Sequence, residues 1–238
     1  MFSHFLSSFF YDAAQLITPI LYLIKCIKNL DNTIYYHLSM FFLHNREMAG
    51  QSMNSLCGLK KMEKKFSKKQ ITAVNNSVTM AEELVSNYYK LSAAQWLRQK
   101  YDVKTVADLA PKEIVKGPFA QIVRYKGQRR DTALGSATYD FYKICLQDHA
   151  IIDTLKKFNA LRIFPFTLYI ITHELIHIVR FSKFLQNFSA SSAEKMAEEI
   201  RVHKKTNKIL QPVQVPGLTS TLDFFVNWHS SLDDLAGN

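Results

Sequence analysis

The chain has few cysteines. Only Cys26, Cys57 and Cys145 occur in 238 residues, and none of them forms a CxxC pair. This spacing excludes a cysteine-rich zinc site, and three thiols are too few for the disulfide framework of a small secreted scaffold. We therefore expect a reducing, cytoplasmic environment, with membrane association as the alternative.

Glycine and proline are also scarce, with seven and six residues. Because both residues interrupt regular structure, their scarcity favours helices joined by short connections. Hydrophobic residues make up 47% of the chain and aromatic residues 13%, which excludes a disordered chain. The sequence predicts a mainly α fold, with α+β as the alternative.

Acidic residues are outnumbered by basic ones, 20 against 30, so the formal net charge is +10. Such a charge permits attraction to nucleic acid, anionic lipid or acidic substrate and identifies none of them. The basic residues lie in small clusters, such as residues 60–69, without the interleaved aromatics of a single-strand-binding surface. We interpret them as solvated surface and predict no specific nucleic-acid site.

Residues 1–61 form an apolar N-terminal extension. Asp12, Gln15 and Pro19 interrupt its most apolar stretch, and no cleavage pattern follows, which is atypical of a signal peptide or a membrane span. Three interpretations stay open: a peripheral extension, a membrane anchor through residues 1–24, or a natural start downstream, for example at Met62. Residues 62–238 are predicted to form a single domain.

Hydrophobic periodicity predicts the first elements of that domain. Residues 70–101 indicate two helices or one broken helix, and residues 132–158 indicate one long helix. Between them, residues 117–128 contain Ile122, Val123 and Tyr125 between two glycines, which indicates a short strand or small sheet.

Two further helices complete the predicted domain, at residues 165–186 and 191–210. Ser191 and Glu194 are spaced as a capping box at the start of the second helix. Pro212 and Pro216 follow it, so no regular structure is predicted for the rest of the chain.

The first of these helices contains the sequence HELIH. His173 and His177 are four residues apart, so an α-helix places both imidazoles on one face, near enough to bind one ion. Glu174 can reach a water on that ion and act as general base. From the composition, roughly 0.01 matches to this pattern are expected by chance. Since the flanking residues are uncharged, the helix is expected to be buried, where unpartnered polar groups are costly.

The stretch IITHELIHIV, residues 170–179, resembles the metal-binding helix of the zincin metallopeptidases. The resemblance implies a compact, helical, zincin-like domain with one Zn²⁺ that activates a water for hydrolysis. The sequence after HELIH excludes the metzincin subgroup, because it contains neither the Gly nor the third His of the pattern HExxHxxGxxH. The gluzincin subgroup takes its third ligand, a Glu, from a following helix, and this chain has such a helix.

Three glutamates of that helix are candidates for the third ligand: Glu194, Glu198 and Glu199. A helical wheel places Glu199 on the inner side and Glu198 among the solvent-facing positions, so Glu199 is predicted. Glu198 and His203 remain the alternatives. Gluzincins often have an Asp four residues after the ligand Glu, where this chain has His203. That histidine is predicted to orient a ligand, to bind the metal itself or to donate to the transition state.

The resemblance thus implies a small zinc metallopeptidase acting on peptide or protein substrates. Glu174 and His203 are its predicted catalytic residues, and His229 and Tyr169 are further candidates for a hydrogen-bond donor. Because zincin clefts are built partly by an edge strand over the metal helix, we expect Pro118–Tyr125 to bind peptide by strand addition.

Two other functions stay open. One is a non-catalytic, basic, helical interaction protein with a structural or degenerate metal site. The other is a ferritin-like di-metal protein, since Glu174 and His177 form an ExxH half-motif, although such sites need a second ExxH and the sequence has none. The sequence carries no indication of an oligomeric state.

Overall fold

The computed structural model describes residues 33–36, 64–98, 100–128 and 138–226. The fold is mainly α with a small sheet, as expected from the sequence. In chain order its elements are β1 (Thr33–Tyr36), α1 (Lys68–Tyr89), α2 (Ala93–Arg98), β2 (Tyr101–Lys104), a 3-10 turn (Pro111–Glu113), β3 (Ala120–Gln128), β4 (Thr138–Leu146), α3 (Asp148–Lys157), α4 (Ile163–Ser182) and α5 (Ser192–Leu210). A last helix, α6, spans residues 218–226. The predicted extension, residues 1–61, lies outside the described residues except for β1.

Local chemistry fixes the ends of the long helices. Ser67 forms a capping box with Gln70 at the start of α1, and Lys90 ends that helix in the left-handed conformation, with φ 52°. The break that follows separates α1 from α2, one of the two arrangements predicted. Ser191 and Glu194 form the predicted capping box at the start of α5. None of the described helices is long and apolar enough to cross a membrane.

The four strands have the order β1-β3-β4-β2. Strands β2 and β4 are parallel, with Tyr101 opposite Tyr142 and Lys104 opposite Cys145. The chain divides into two compact units, one made of residues up to Ile34 together with Arg124–Phe141, and the other of the remaining residues. The first unit contains the outer parts of β3 and β4. The second contains all six helices of the described residues and is the unit described below.

The core is built around α4. Every residue from Pro165 to Phe181 is buried, and both α1 and α5 pack against this helix. A hydrogen bond of 2.9 Å between the hydroxyls of Ser77 and Thr167 joins α1 to α4. A helix that is apolar all round needs neighbours on all sides, and the apolar faces of α1, α5, α6 and the sheet supply them.

The predicted long helix at residues 132–158 is wrong. Its described part is strand β4 followed by the short helix α3. Tyr142, Ile144 and Leu146 point to one buried face with the period of two that a strand requires. Tyr142, Cys145 and Leu146 also have helical spacing, and pairing with β2 decides between strand and helix.

Two boundaries near the site also differ from the sequence prediction. Helix α4 ends at Ser182, four residues before the predicted end, because Phe184 adopts the left-handed conformation with φ 54°. Beyond Pro216, where no regular structure was predicted, α6 forms. Leu218 and Phe225 are seven residues apart and both buried, so this segment has an apolar helical face.

Candidate metal centre

The HELIH helix and its successor bring together four side chains of the types that bind metal ions. His173 and His177 lie on α4, and Glu199 and His203 lie on α5, which packs against it. None of the four is more than 4% exposed. The spacing of four residues within each helix puts each pair on one face, and the packing of the two helices turns these faces toward each other.

Three of these groups meet at close range. Nε2 of His173 lies 3.0 Å from Nε2 of His177. One carboxylate oxygen of Glu199 lies 3.2 Å from Nε2 of His173, and the other lies 3.3 Å from Nε2 of His177. Two imidazole nitrogens and the two oxygens of one carboxylate therefore converge on one small volume.

A metal ion fits this arrangement better than protons do. Ligands about 2.0–2.1 Å from a tetrahedral zinc ion are separated by about 3.3 Å, close to the observed distances. Protons alone cannot satisfy all of these close pairs of atoms, because each proton forms one hydrogen bond between one nitrogen and one other atom. A cation at the centre of the cluster can bind both imidazoles and the carboxylate at once.

His203 extends the cluster. His173, Glu199 and His203 each offer one ligand atom, and these atoms lie within 4.8 Å of one another, so this buried group can hold a metal ion. The ring centroids of His173 and His203 are 4.1 Å apart. On its other side, Nδ1 of His203 is hydrogen-bonded to the hydroxyl of Tyr169 at 2.8 Å.

Glu174 lies beside the cluster in a small pocket. The pocket is bounded by Pro118, Phe119, Ala120, Tyr169, Ile170, His173, His203 and Phe225. Among the described residues, Oε2 of Glu174 and Nδ1 of His173 have no hydrogen-bond partner. Burial raises the pKa of Glu174 to about 8. A buried carboxylate without a partner is costly, which is typical of a functional group rather than a packing residue.

The charges of the cluster are coupled. Burial lowers the pKa of His173. For His177, burial acts in the same direction, but the Glu199 carboxylate outweighs it and raises the pKa to about 9. Burial opposes ionisation of Glu199, yet the two histidines hold its pKa below the usual range. Without a metal, these shifts favour an ion pair between His177 and Glu199 and oppose a charge on His173.

Sequence reasoning missed the residue that orients His177. Its Nδ1 donates a hydrogen bond to Oε1 of Gln186 at 3.1 Å. With the proton of the neutral ring on Nδ1, Nε2 keeps its lone pair and faces the cluster as a ligand would. Gln186 lies in the loop between α4 and α5, and no pattern in the sequence marks it.

The expected solvent exposure of Glu198 is wrong, because this side chain is 4% exposed. Arg180 of α4 reaches it through Nε and Nη2, the latter at 3.0 Å from Oε2, and Arg201 binds the same carboxylate. The Glu198 carboxylate is therefore paired with two guanidinium groups. It is engaged away from the histidines, which leaves Glu199 as the α5 glutamate at the cluster.

The structure thus brings together His173, Glu174, His177, Glu199, His203 and Tyr169. His229 lies outside the described residues. The start of the predicted peptide-binding segment also lines the pocket, at Pro118 and Ala120. The expectation that β3 is an edge strand is wrong, since the strand order places it between β1 and β4. With four residues against nine, β1 is too short to cover all of β3.

Comparison of the chain with protein-family models, with curated proteins and with solved structures found no match.

Proposed function

We propose that the chain is a zinc-dependent hydrolase, most specifically a small metallopeptidase. One Zn²⁺ is bound by His173, His177 and Glu199, and Glu174 is the general base. The observation that carries the proposal is the convergence of two imidazole nitrogens and a carboxylate at 3.0–3.3 Å on the HELIH helix and its neighbour. Nitrogen and carboxylate donors in this number leave a fourth position for water, as catalytic zinc sites require.

A bound zinc ion supplies a water of lowered pKa and polarises a substrate carbonyl. Glu174 contributes the proton transfer, since its Oε2 has no partner among the described residues and can accept the proton of the attacking water. The same carboxyl group then delivers that proton to the leaving amine. Gln186 keeps the ring of His177 in one tautomer throughout.

The role of His203 depends on its tautomer. If Nδ1 accepts from the Tyr169 hydroxyl, Nε2 carries the proton and His203 donates to the oxyanion that develops on the substrate. If Nδ1 donates to Tyr169 instead, Nε2 carries a lone pair that can bind a metal. The first arrangement belongs to a hydrolase, and the second gives the ion a fourth protein ligand.

A second candidate function follows from that fourth ligand. Zinc sites closed by four protein ligands are structural, and His203 belongs to a buried group with metal-ligand spacing. The chain would then be a non-catalytic, basic, helical interaction protein whose zinc ion joins α4 to α5. Among the described residues there is one such group, which supports a single ion over the di-metal alternative.

Zinc content and peptide hydrolysis of three variants distinguish these functions. For a metallopeptidase we expect Glu174→Gln and His203→Ala to keep about one equivalent of zinc and lose hydrolysis, since neither residue is a ligand. For a structural site we expect His203→Ala to lose zinc and the unmodified chain to cleave nothing. His173→Ala should lose zinc in both cases, and unchanged zinc content in that variant refutes both.

The hydrolysis assay needs no known substrate. A mixture of synthetic peptides is incubated with each protein, and new termini are identified by mass spectrometry. Glu174→Gln is the matched control for contaminating peptidases, because it differs from the unmodified chain by one amide group. A cobalt-substituted sample gives an independent measurement, since a hydroxamate changes the visible spectrum of an open site and leaves that of a closed site unchanged.

A further inference from the structure

The loop between α4 and α5 exposes two large apolar side chains. Phe184 is 95% exposed and Leu185 is 54% exposed. Phe184 also has a φ of 54°, which a bulky side chain rarely adopts and which glycine adopts freely. The conformation is held by hydrogen bonds that end the helix, from Phe184 N to the Phe181 carbonyl and from Leu185 N to the Arg180 carbonyl.

Phe184 is therefore unfavourable for the folded chain in two ways. Its aromatic ring gains no burial, and its backbone is strained where glycine would be relaxed. Strain of this kind at an exposed position points to a role outside the fold.

A basic groove lies close to this loop. Its lining on α5 consists of Ala197, Ile200, Arg201, Lys204, Lys205 and Lys208, and Tyr88 of α1 completes it. None of these described lining residues is acidic. The basic side chains lie about 140–240° around α5 from Glu199, so the groove faces away from the metal centre.

Aromatic residues of α1 connect the loop to the groove. Nζ of Lys183, the residue before Phe184, lies 5.2 Å from the centroid of the Tyr89 ring. The Tyr89 and Tyr88 rings are in edge contact, with their centroids 5.2 Å apart. Since Tyr88 lines the groove, the exposed loop and the basic residues belong to one continuous surface. We call it the docking surface: Lys183–Leu185, Tyr88, Tyr89, Arg201, Lys204, Lys205 and Lys208.

We propose that the docking surface binds an anionic membrane, with Phe184 and Leu185 entering the headgroup layer and the lysines pairing with lipid phosphates. An exposed aromatic and aliphatic pair bordered by lysines and tyrosines has the composition of an interfacial membrane contact. A nucleic acid is the less suitable polyanion, because it would leave the exposed aliphatic side chain of Leu185 without the apolar surroundings that a headgroup layer supplies. This binding does not depend on the metal centre or on hydrolysis.

Co-sedimentation of the full chain with lipid vesicles tests the proposal. We expect binding to phosphatidylcholine vesicles that contain phosphatidylserine, weak binding to phosphatidylcholine alone, and weaker binding as salt is raised. The triple variant Lys204→Gln, Lys205→Gln, Lys208→Gln should bind about 100-fold more weakly, at about fivefold per lysine. The matched control is Lys65→Gln, Lys68→Gln, Lys69→Gln, which removes the same charge from exposed residues at the start of α1.

Phe184→Gly tests the apolar contact separately. Glycine suits the left-handed backbone, so the variant should fold at least as well and bind vesicles about tenfold more weakly. Zinc content, measured in parallel, should stay unchanged in all variants.

Three outcomes overturn the proposal. The first is an equal loss of binding in the two lysine triples, which would make net charge the cause. The second is unchanged binding in the groove triple and in Phe184→Gly, as expected if residues 1–24 bind the vesicles. The third is tighter binding to double-stranded DNA than to anionic vesicles at the same salt concentration.

Discussion

Two adjacent glutamates of α5 allow the effect of a substitution on stability to be distinguished from its effect on the proposed zinc binding. Glu198 and Glu199 are equally buried, at 4% exposed, but they bind different partners. Glu198 is held by Arg180 and Arg201, whereas Glu199 is held by His173 and His177. We expect Glu198→Gln to lower stability and keep zinc, and Glu199→Gln to lose zinc at a smaller cost in stability.

The magnitude for Glu198→Gln follows from Arg180, whose side chain is 8% exposed and donates from two nitrogens to the carboxylate. Removing one partner of a buried ion pair costs about 3–5 kcal/mol. The amide oxygen of Gln still accepts one of these bonds, so the free energy of unfolding should fall by about 2–3 kcal/mol. For a chain of this size, Tm should fall by about 5–10 °C.

Glu199→Gln should cost less in the metal-free protein because its partner can neutralise itself. The Glu199 carboxylate raises the pKa of His177, and without that charge burial lowers the pKa again. The histidine then releases its proton and remains buried as a neutral group. An arginine has no such response, since its guanidinium stays charged. We therefore expect the free energy of unfolding of Glu199→Gln to fall by about 1 kcal/mol.

Thermal denaturation in the presence of a chelator measures the stability of each variant without metal. Elemental analysis after dialysis measures the zinc content of each variant. Comparing both variants at equal concentration removes the contribution of net charge, because each loses one carboxylate. A Glu198→Gln variant that loses zinc with unchanged Tm would refute the assignment of these partners, as would a Glu199→Gln variant that keeps a full equivalent.

Three further predictions concern the surroundings of the cluster. Gln186→Leu should lower the zinc affinity about 10–100-fold, as measured by competition with a chelating dye. Gln186→Glu keeps a hydrogen-bond acceptor for His177, so its zinc affinity should stay near that of the unmodified chain. Zinc must displace the proton that His177 holds with a pKa of about 9, so the apparent zinc affinity should rise between about pH 6 and pH 9. Calorimetry in two buffers would show the proton release, and a pH-independent zinc affinity would contradict this prediction. Phe225→Ala should lower the free energy of unfolding in urea by about 3–5 kcal/mol, since this ring is fully buried against Tyr169, and a loss below about 1 kcal/mol would contradict that packing.

The helices that build the centre were predictable because their signals are local. The apolar run of α4, the capping box of α5 and the spacing of four residues within each pair are read over one or two turns. Strand β4 was not predictable in this way. Tyr142, Ile144 and Leu146 fit the period of a strand, but Tyr142, Cys145 and Leu146 also fit that of a helix. The pairing with β2 that decides between them joins residues about forty positions apart.

The partners of the candidate ligands were less accessible to sequence reasoning than the candidate ligands themselves. A helical wheel ranks Glu199 correctly as inward-facing but treats the opposite side of the helix as solvent. Arg180 belongs to another helix and follows no spacing rule relative to Glu198, so the burial of Glu198 could not be anticipated. Gln186 reaches His177 only because α4 ends early, in the left-handed turn at Phe184.

The stacking of Phe225 on Tyr169, with ring centroids 3.8 Å apart, bears on how any peptide reaches the centre. Both rings line the pocket at Glu174, and both are buried. Under the proposed function, a peptide substrate would therefore compete with α6, the last described helix, for the same space. If hydrolysis requires α6 to leave, the measured KM contains the equilibrium constant for its release, and each tenfold reduction in the released fraction raises KM tenfold. Substitutions that loosen α6 would then increase kcat/KM while lowering stability, a reversal of the usual effect of core mutations.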